Sequence, residues 1–337
     1  MPSPSLLSTP LLGLFALCIV VFSLSAMFSR KSKWDPNGKH CYVTGGTSGL
    51  GLSLAILLAK RGAHVSIVAR NQERLDKALK DLENVRQSPS QKFHGYSFAV
   101  DKAKEASAAL EASTVPFDGK CPDALFLCAG KSRPGFFVEQ TEELMVTTME
   151  ETYWAQAWTA FAGSKRMVKE GVQGKIVFVA SLLAYFSIAG YSPYSPGKFA
   201  IRGLVEALQA EFLMYGIDIH IAFPGTIFSP GLEEENKVKP KITLKLEESD
   251  DGMEPDKIAE YLLSGVSKGM FHITYDFIGN VFRASTRGSS PGNSSLLSQI
   301  YAFIGAIALP IWRHDVDSKV RAHRDEHYAY LKEKKFL

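Results

Sequence analysis

An apolar run that breaks into glycines and re-forms as a helix constrains this chain more than any other feature. Residues 40–44, His-Cys-Tyr-Val-Thr, read as a buried strand, and they run into Gly45-Gly46-Thr47-Ser48-Gly49-Leu50-Gly51. Amphipathic periodicity follows over about residues 52–61. Glycines let the backbone turn sharply and approach a pyrophosphate, and the first turn of the helix offers unpaired N–H groups and a positive dipole end. The spacing Gly45, Gly49, Gly51 is not the G-x-G-x-x-G of the general dinucleotide fingerprint. A tight strand-to-helix connection with no ligand is the alternative reading of the same residues. Further strand-like runs at residues 63–69, 96–100 and 175–181 predict an α/β fold, a doubly wound parallel sheet.

The end of the second run bears on the choice of dinucleotide. An acidic residue there would bond a ribose 2′-hydroxyl, but this chain has Ala69 followed by Arg70 and then Arg74. A guanidinium suits a 2′-phosphate by charge and by bidentate hydrogen bonds, which favours NADPH over NADH. Arg74 reads equally well as an ordinary exposed helix residue.

The fourth run, residues 175–181, ends at Ser181, where ligands bind in a sheet of this kind. Tyr194-Ser195-Pro196-Gly197-Lys198 follows and sets a phenol and an ammonium one helical turn apart. Such a pair is most often a solvated helix face. Beside Ser181 it reads as acid–base chemistry for a ketone/alcohol couple. The Lys198 cation is expected to lower the Tyr194 pKa, Tyr194 to exchange a proton with the substrate oxygen, and Ser181 to hold that oxygen.

Together these pieces resemble the short-chain dehydrogenase/reductase family, over roughly residues 38 to 277 and in the family's order. Its Thr-Gly-x-x-x-Gly-x-Gly matches Thr44 to Gly51, and its acidic residue beside the adenine matches Asp101. Its Asn-Asn-Ala-Gly matches Leu127-Cys128-Ala129-Gly130, with both asparagines replaced. Its Ser and Tyr-x-x-x-Lys match Ser181, Tyr194 and Lys198, and its Pro-Gly-x-x-x-Thr matches Pro224 to Ser229. The family's catalytic Asn, which helps hold a water joining the lysine to solvent, is matched by Thr152. A hydroxyl there replaces an amide.

The resemblance implies a Rossmann-type sheet and NADPH as cofactor. It implies a phosphate-side turn of Gly45, Thr47, Ser48, Gly49 and Gly51, with Arg70 and Arg74 toward the 2′-phosphate. It further implies Asp101 near the adenine, Gly130 among the cofactor-binding residues, and Ile227 and Ser229 against the carboxamide. Lys198 and Tyr194 would hold the nicotinamide ribose. The catalytic set it implies is Ser181, Tyr194, Lys198 and Thr152. Within the family, Phe199-Ala200-Ile201-Arg202-Gly203-Leu204 and Pro230-Gly231-Leu232-Glu233-Glu234-Glu235-Asn236-Lys237-Val238-Lys239-Pro240 are similar to the group that reduces long-chain 3-keto sphingoid bases. A membrane steroid or retinoid dehydrogenase on the same scaffold is the first alternative, and a membrane-tethered nucleotide-binding sensor or scaffold the second. Residues 228–248 are the expected lid over the substrate. A homodimer or homotetramer through the helices carrying Trp158 and Phe199 is also implied by resemblance.

The ends of the chain point to a membrane. Residues 11–28 are almost wholly apolar and long enough to span a bilayer. A signal peptide is the rival, but no Lys or Arg precedes the run, whereas Arg30, Lys31 and Lys33 follow it. Cations stay cytosolic, so the domain is expected on the cytosolic side of a transmembrane helix. Residues 289–298 read as a loop, and residues 300–312 as a short interfacial or re-entrant segment, or else a helix packed on the domain. The basic tail closes on Lys334-Lys335-Phe336-Leu337, similar to the di-lysine signal of endoplasmic-reticulum membrane proteins. The expected segments are an anchor at 1–30, the catalytic domain at 38–280 and a membrane-associated region at 281–337. A net charge of +3 gives no argument for nucleic acid, and Cys18, Cys41, Cys121 and Cys128 have neither metal-site nor disulfide spacing.

Overall fold

The computed structural model describes residues 34–248, 250–291 and 295–336. The anchor expected at residues 1–30 lies outside them, as does Cys18. Seven strands form one parallel sheet: β1 His40–Thr44, β2 His64–Ala69, β3 Phe93–Ser97, β4 Ala124–Leu127, β5 Lys175–Val179, β6 Asp218–Ala222 and β7 His272–Ile273. Their order is β3-β2-β1-β4-β5-β6-β7. Tyr42 of β1 stands between Ser66 of β2 and Leu125 of β4. The chain leaves β1 toward β2 on one side, and β4 pairs on the other, so the strand order reverses at the β1/β4 junction. A crevice opens outside the carboxyl ends there.

Helices cover both faces, which is why β1, β4 and β5 are buried along their whole length rather than at alternate residues. These are α1 Gly49–Lys60, α2 Gln72–Asn84, α3 Ala103–Thr114, α4 Glu142–Met149, α5 Ala155–Glu170 and α6 Ser195–Phe212. A π-helical turn, Glu150–Trp154, joins α4 to α5. The region expected to be a lid carries two short helices, α7 Pro230–Asn236 and α8 Lys241–Leu246. Then come α9 Pro255–Ser267 and α10 Phe277–Ser285, which runs across residue 280. The last two are α11 Ser295–Ala322 and α12 Arg324–Glu333.

Two expectations from the sequence are corrected. The third strand is Phe93–Ser97, not residues 96–100. Phe98 still donates to the Ala69 carbonyl, but the Ala99 N–H turns to the Glu105 carboxylate of α3 and Lys102 closes a turn onto Ala99. The start of α3 thus pulls the chain out of the sheet. The loop read at residues 289–298 is cut short at Ser295, where a 28-residue helix, α11, begins, and the segment 300–312, read as interfacial or as a helix packed on the domain, is the middle of that helix. Pro310 does not end it, and ion pairs one turn apart, Arg313–Asp317 and Asp315–Lys319, support its charged half.

One face of α11 packs on the domain. Ser298, Gly305 and Val316 are buried, and Leu309 and Trp312 lie against the core. A Cβ at Gly305 would run into the Ser285 hydroxyl of α10. The opposite face carries Leu296, Ile300, Phe303, Ile307 and Ile311, with Phe303 69% and Ile311 67% exposed. Steps of three and four residues put these side chains on one stripe. Phe277 and Ile278 at the start of α10 are also exposed. Among the described residues, α11 is the one helix both long and apolar enough to cross a membrane.

Candidate active site

The glycine turn closes because no side chain fits where its glycines sit. Gly45 has φ +69°, and a Cβ there would fall 3.0 Å from the backbone of Ala129, beyond the end of β4. A Cβ on Gly51 would strike the Gly45 carbonyl oxygen. Thr44 completes the joint, its hydroxyl accepting from the Ala129 N–H at 3.2 Å. Ser48 is the N-cap of α1 but makes no capping hydrogen bond, and the first turn holds no acidic residue. The N–H groups and positive end of α1 therefore remain available to a phosphate. These glycines and this uncapped helix end fit a pyrophosphate, and hence the nicotinamide dinucleotide that the fold implies.

The other expected cofactor residues surround that turn. Thr47 and Ser48 lie within it, and Gly49 packs 3.3 Å from the Ser229 side chain as measured to a Cβ built on the glycine. Ser229 caps α7 by accepting from Leu232, and Ile227 bridges to Met253. Arg70 follows β2 and is exposed, as is Arg74 in the first turn of α2. Among the described residues neither guanidinium makes an ion pair. Asp101 follows β3 and lines an open groove with Met149, Trp154 and Trp158. Gly130 lies between the glycine turn and the catalytic residues, with its built Cβ 3.6 Å from the Lys198 Nζ.

Ser181, Tyr194, Lys198 and Thr152 converge. Ser181 follows β5, and its Oγ accepts from the Leu183 N–H at 3.2 Å. It also lies within hydrogen-bonding reach of the Tyr194 phenol. Tyr194 caps α6, and Lys198, one turn on, is buried with its Nζ 5.6 Å from the Tyr194 ring centroid. That ammonium donates to the Val179 carbonyl at 3.1 Å. Thr152 is fully buried in the π-helical turn and donates to the Thr148 carbonyl at 2.6 Å. A Cβ on Gly197 would collide with the Thr152 hydroxyl, so the glycine between Tyr194 and Lys198 is what lets α6 approach the turn. Thr152 thus packs against Gly197 of α6 with its one proton already committed.

The expected lowering of the Tyr194 pKa is overturned. Burial pushes the phenol up, the Glu235 carboxylate adds to that, and the Ser181 hydrogen bond opposes both. Burial also pushes Lys198 down, to about 8. Sequence spacing showed an adjacent cation but could not show that the fold buries Lys198 and half-buries Tyr194, and desolvation favours the neutral form of each. Burial likewise pushes the Cys128 thiol up to about 12, so it is an inert neighbour of the site.

Two groups of residues were not singled out by their chemistry in the sequence. Arg133 grips Glu151 with two hydrogen bonds, at 2.5 and 2.9 Å, and so ties the loop after Gly130 to the π-helical turn. Tyr191, on the loop before Tyr194, reaches Glu235 and Glu247 at 2.7 Å each. Lys239 meets the same two carboxylates at 3.2 and 2.7 Å. Glu235 and Lys239 are four residues apart, but Lys239 lies beyond the end of α7, so the pair is made by the turn that follows the helix and no helical spacing announces it.

Comparison with known proteins agrees with this geometry. Residues 39–239 match the family described as short chain dehydrogenase. A 3-ketodihydrosphingosine reductase of Cryptococcus neoformans is 40% identical over 319 residues, covering 94% of this chain and 95% of that protein. One of Aspergillus fumigatus is 35% identical over 331 residues, covering 90% of each. A 3-dehydrosphinganine reductase of Danio rerio is 34% identical over 280 residues, covering 83% of each. Among solved structures, LigD from Sphingobium superposes with a TM-score of 0.63 at 22% identity, covering 77% of this chain and 100% of that one. Levodione reductase gives the same score at 23% identity, covering 71% and 96%. At that identity the two structures speak for the fold alone.

Proposed function

Since the chain belongs to the short-chain dehydrogenase family, we propose that it reduces the 3-keto group of a long-chain sphingoid base, with NADPH as reductant and Tyr194 as proton donor. The observation that carries this reading is the meeting of Ser181, Tyr194 and Lys198 beside the glycine turn, in a chain whose long relatives are named 3-ketodihydrosphingosine reductases. A bound nicotinamide dinucleotide supplies hydride to the carbonyl carbon. Ser181 holds the carbonyl oxygen by a hydrogen bond. Tyr194 donates its proton to that oxygen as negative charge grows there, and both donors act on charge that appears in the transition state. A phenol kept protonated by burial is ready to donate in the direction of reduction. Lys198 holds its positive charge near Tyr194 and steadies the phenolate left behind. Arg70, exposed and without an ion pair among the described residues, is suited to the 2′-phosphate that distinguishes NADPH.

The same reading places the enzyme on the cytosolic face of the endoplasmic-reticulum membrane. A helix that packs one face on the domain over most of its length cannot leave to cross a bilayer, so α11 lies in the membrane surface with its Phe303 stripe in lipid. Such a helix sets the domain against the leaflet that holds a long-chain lipid substrate.

The test is NADPH oxidation by the purified protein in detergent with a panel of ketones: a long-chain 3-keto sphingoid base, steroid ketones and a retinoid. Turnover is expected with the sphingoid base, and Tyr194→Phe should lower kcat by about 10³-fold, within the range for losing a general acid, while NADPH binding persists. Preference for a steroid or retinoid would overturn the substrate, and full turnover by the phenylalanine variant would overturn the proton donor.

A further inference from the structure

The polar cluster beside the catalytic loop is unbalanced in charge. Tyr191, Lys239, Glu235 and Glu247 interlock beneath α7 and α8. The Lys239 side chain is 3% exposed and that of Glu235 14%. Two carboxylates face one ammonium. Tyr191 is neutral, since burial and both carboxylates push its pKa up, and its single proton can serve only one of the two oxygens 2.7 Å away. The lysines beside it in the sequence are engaged elsewhere, Lys237 with Glu234 and Lys241 with Glu326, and the exposed Lys131 acts on Glu234 rather than on this cluster. Among the described residues no hydrogen bond reaches the second oxygen of Glu235. A largely buried carboxylate in excess is costly unless a cation meets it.

The cluster is one ring away from the proton donor. The Tyr191 and Tyr194 ring centroids are 5.9 Å apart, and the Glu235 charge is felt by the Tyr194 phenol. Glu235 stands on α7, directly after Ser229, whose side chain packs on Gly49. Its carboxylate therefore stands on a segment that starts against the glycine turn and runs beside the catalytic loop.

A sphingoid 3-ketone carries an ammonium on the carbon next to the carbonyl. Nitrogen and ketone oxygen then sit about 3 Å apart across an N–C–C=O unit. With the oxygen on Tyr194 and Ser181, the ammonium falls within reach of a carboxylate one aromatic ring away. We infer that Glu235 binds the 2-ammonium group of the substrate and makes this site selective for 2-amino ketones, with Tyr191, Lys239 and Glu247 holding its carboxylate in place. The inference rests on the substrate proposed above. It assigns to this chain a carboxylate that distinguishes an amino ketone from a steroid, a retinoid or a plain fatty ketone.

The experiment compares two ketones of equal chain length, the 1-hydroxy-2-amino-3-ketone and its analogue without the amino group, on the full-length protein in detergent. The wild type should favour the amino ketone in kcat/KM by at least tenfold, about the worth of one charge-assisted hydrogen bond. Glu235→Gln keeps the shape and removes the charge. It should raise KM for the amino ketone by about 10- to 100-fold and move KM for the analogue less than about twofold, leaving NADPH binding as it was. Equal losses on both ketones would reduce Glu235 to a structural support and overturn the inference, as would unchanged KM for the amino ketone. If the glutamine variant does not fold, the wild-type ratio decides alone, and equal kcat/KM for the two ketones overturns it. A wild type that reduces neither ketone refutes the proposed substrate itself, whereas an active wild type without amino preference refutes only the role of Glu235.

Discussion

Lys198→Met should make the protein more stable and nearly inactive. Lys198 is buried, its ammonium meets one carbonyl, and burial lowers its pKa from 10.5 to about 8. At about 1.4 kcal/mol per tenfold change in proton affinity, keeping this lysine charged inside the fold costs about 3 kcal/mol at pH 7. The unfolded chain binds the proton more tightly, so the cost is complete below pH 8, fades from pH 8 to 10.5 and vanishes above. Methionine fills a similar volume without charge. The lost hydrogen bond is worth about 1 kcal/mol and leaves no orphan, because the Val179 carbonyl also accepts from Gln156 at 2.8 Å. The net gain is about 2 kcal/mol at pH 7, or about 4 °C in melting midpoint, shrinking to nearly nothing at pH 9.5. Thermal melts of both proteins in the same detergent, without dinucleotide, at pH 7 and 9.5 measure it. A variant that melts lower at pH 7, or a difference that stays constant with pH, would refute the desolvation argument. Turnover should fall at least about 10²-fold, a trade of stability for function.

Arg70→Ala should lower kcat/KM for NADPH by about 10- to 100-fold and change that for NADH less than about threefold, as expected for losing a charged contact to a 2′-phosphate. Steady-state assays with both dinucleotides check it, and equal losses would remove Arg70 from cofactor choice. A protease-sensitive tag placed after Leu337 should be cleaved in sealed microsomes, because α11 lies along the domain; a tag protected until detergent is added would mean that α11 crosses the bilayer.

The glycine turn, the strand that leads to Ser181 (though it ends two residues earlier, at Val179) and the Tyr194–Lys198 spacing were legible because each is a local pattern with one geometric meaning. Strand, turn and helix at residues 40–60 are contiguous in sequence, so periodicity and glycine positions suffice. The end of β3 was not legible, since it is decided by Glu105 reaching back to the Ala99 N–H from the next helix. The length of α11 was hidden for a related reason. Its apolar stretch is short, and its second half is held by ion pairs that a hydropathy reading counts only as charge.

Electrostatics escaped the sequence for a deeper reason. The sign of the Tyr194 shift depends on whether the cation or the loss of water dominates, and only burial decides between them. The same holds for Glu235. In the sequence it is one of three consecutive glutamates, and nothing separates it from Glu233 and Glu234, which face outward. The fold separates them by placing Lys239 one turn on and Tyr191 across the cleft, so that this carboxylate alone of the three points into the catalytic loop's surroundings. A charge excess at that place, next to a phenol that must give up its proton to a ketone, is where a substrate cation does most good. Burial is the main cause of the raised Tyr194 pKa, and a substrate cation would cancel the smaller share that Glu235 adds, only while substrate is bound. Recognition of the ammonium and readiness of the acid are then one electrostatic event, and a ketone without the amino group forgoes both.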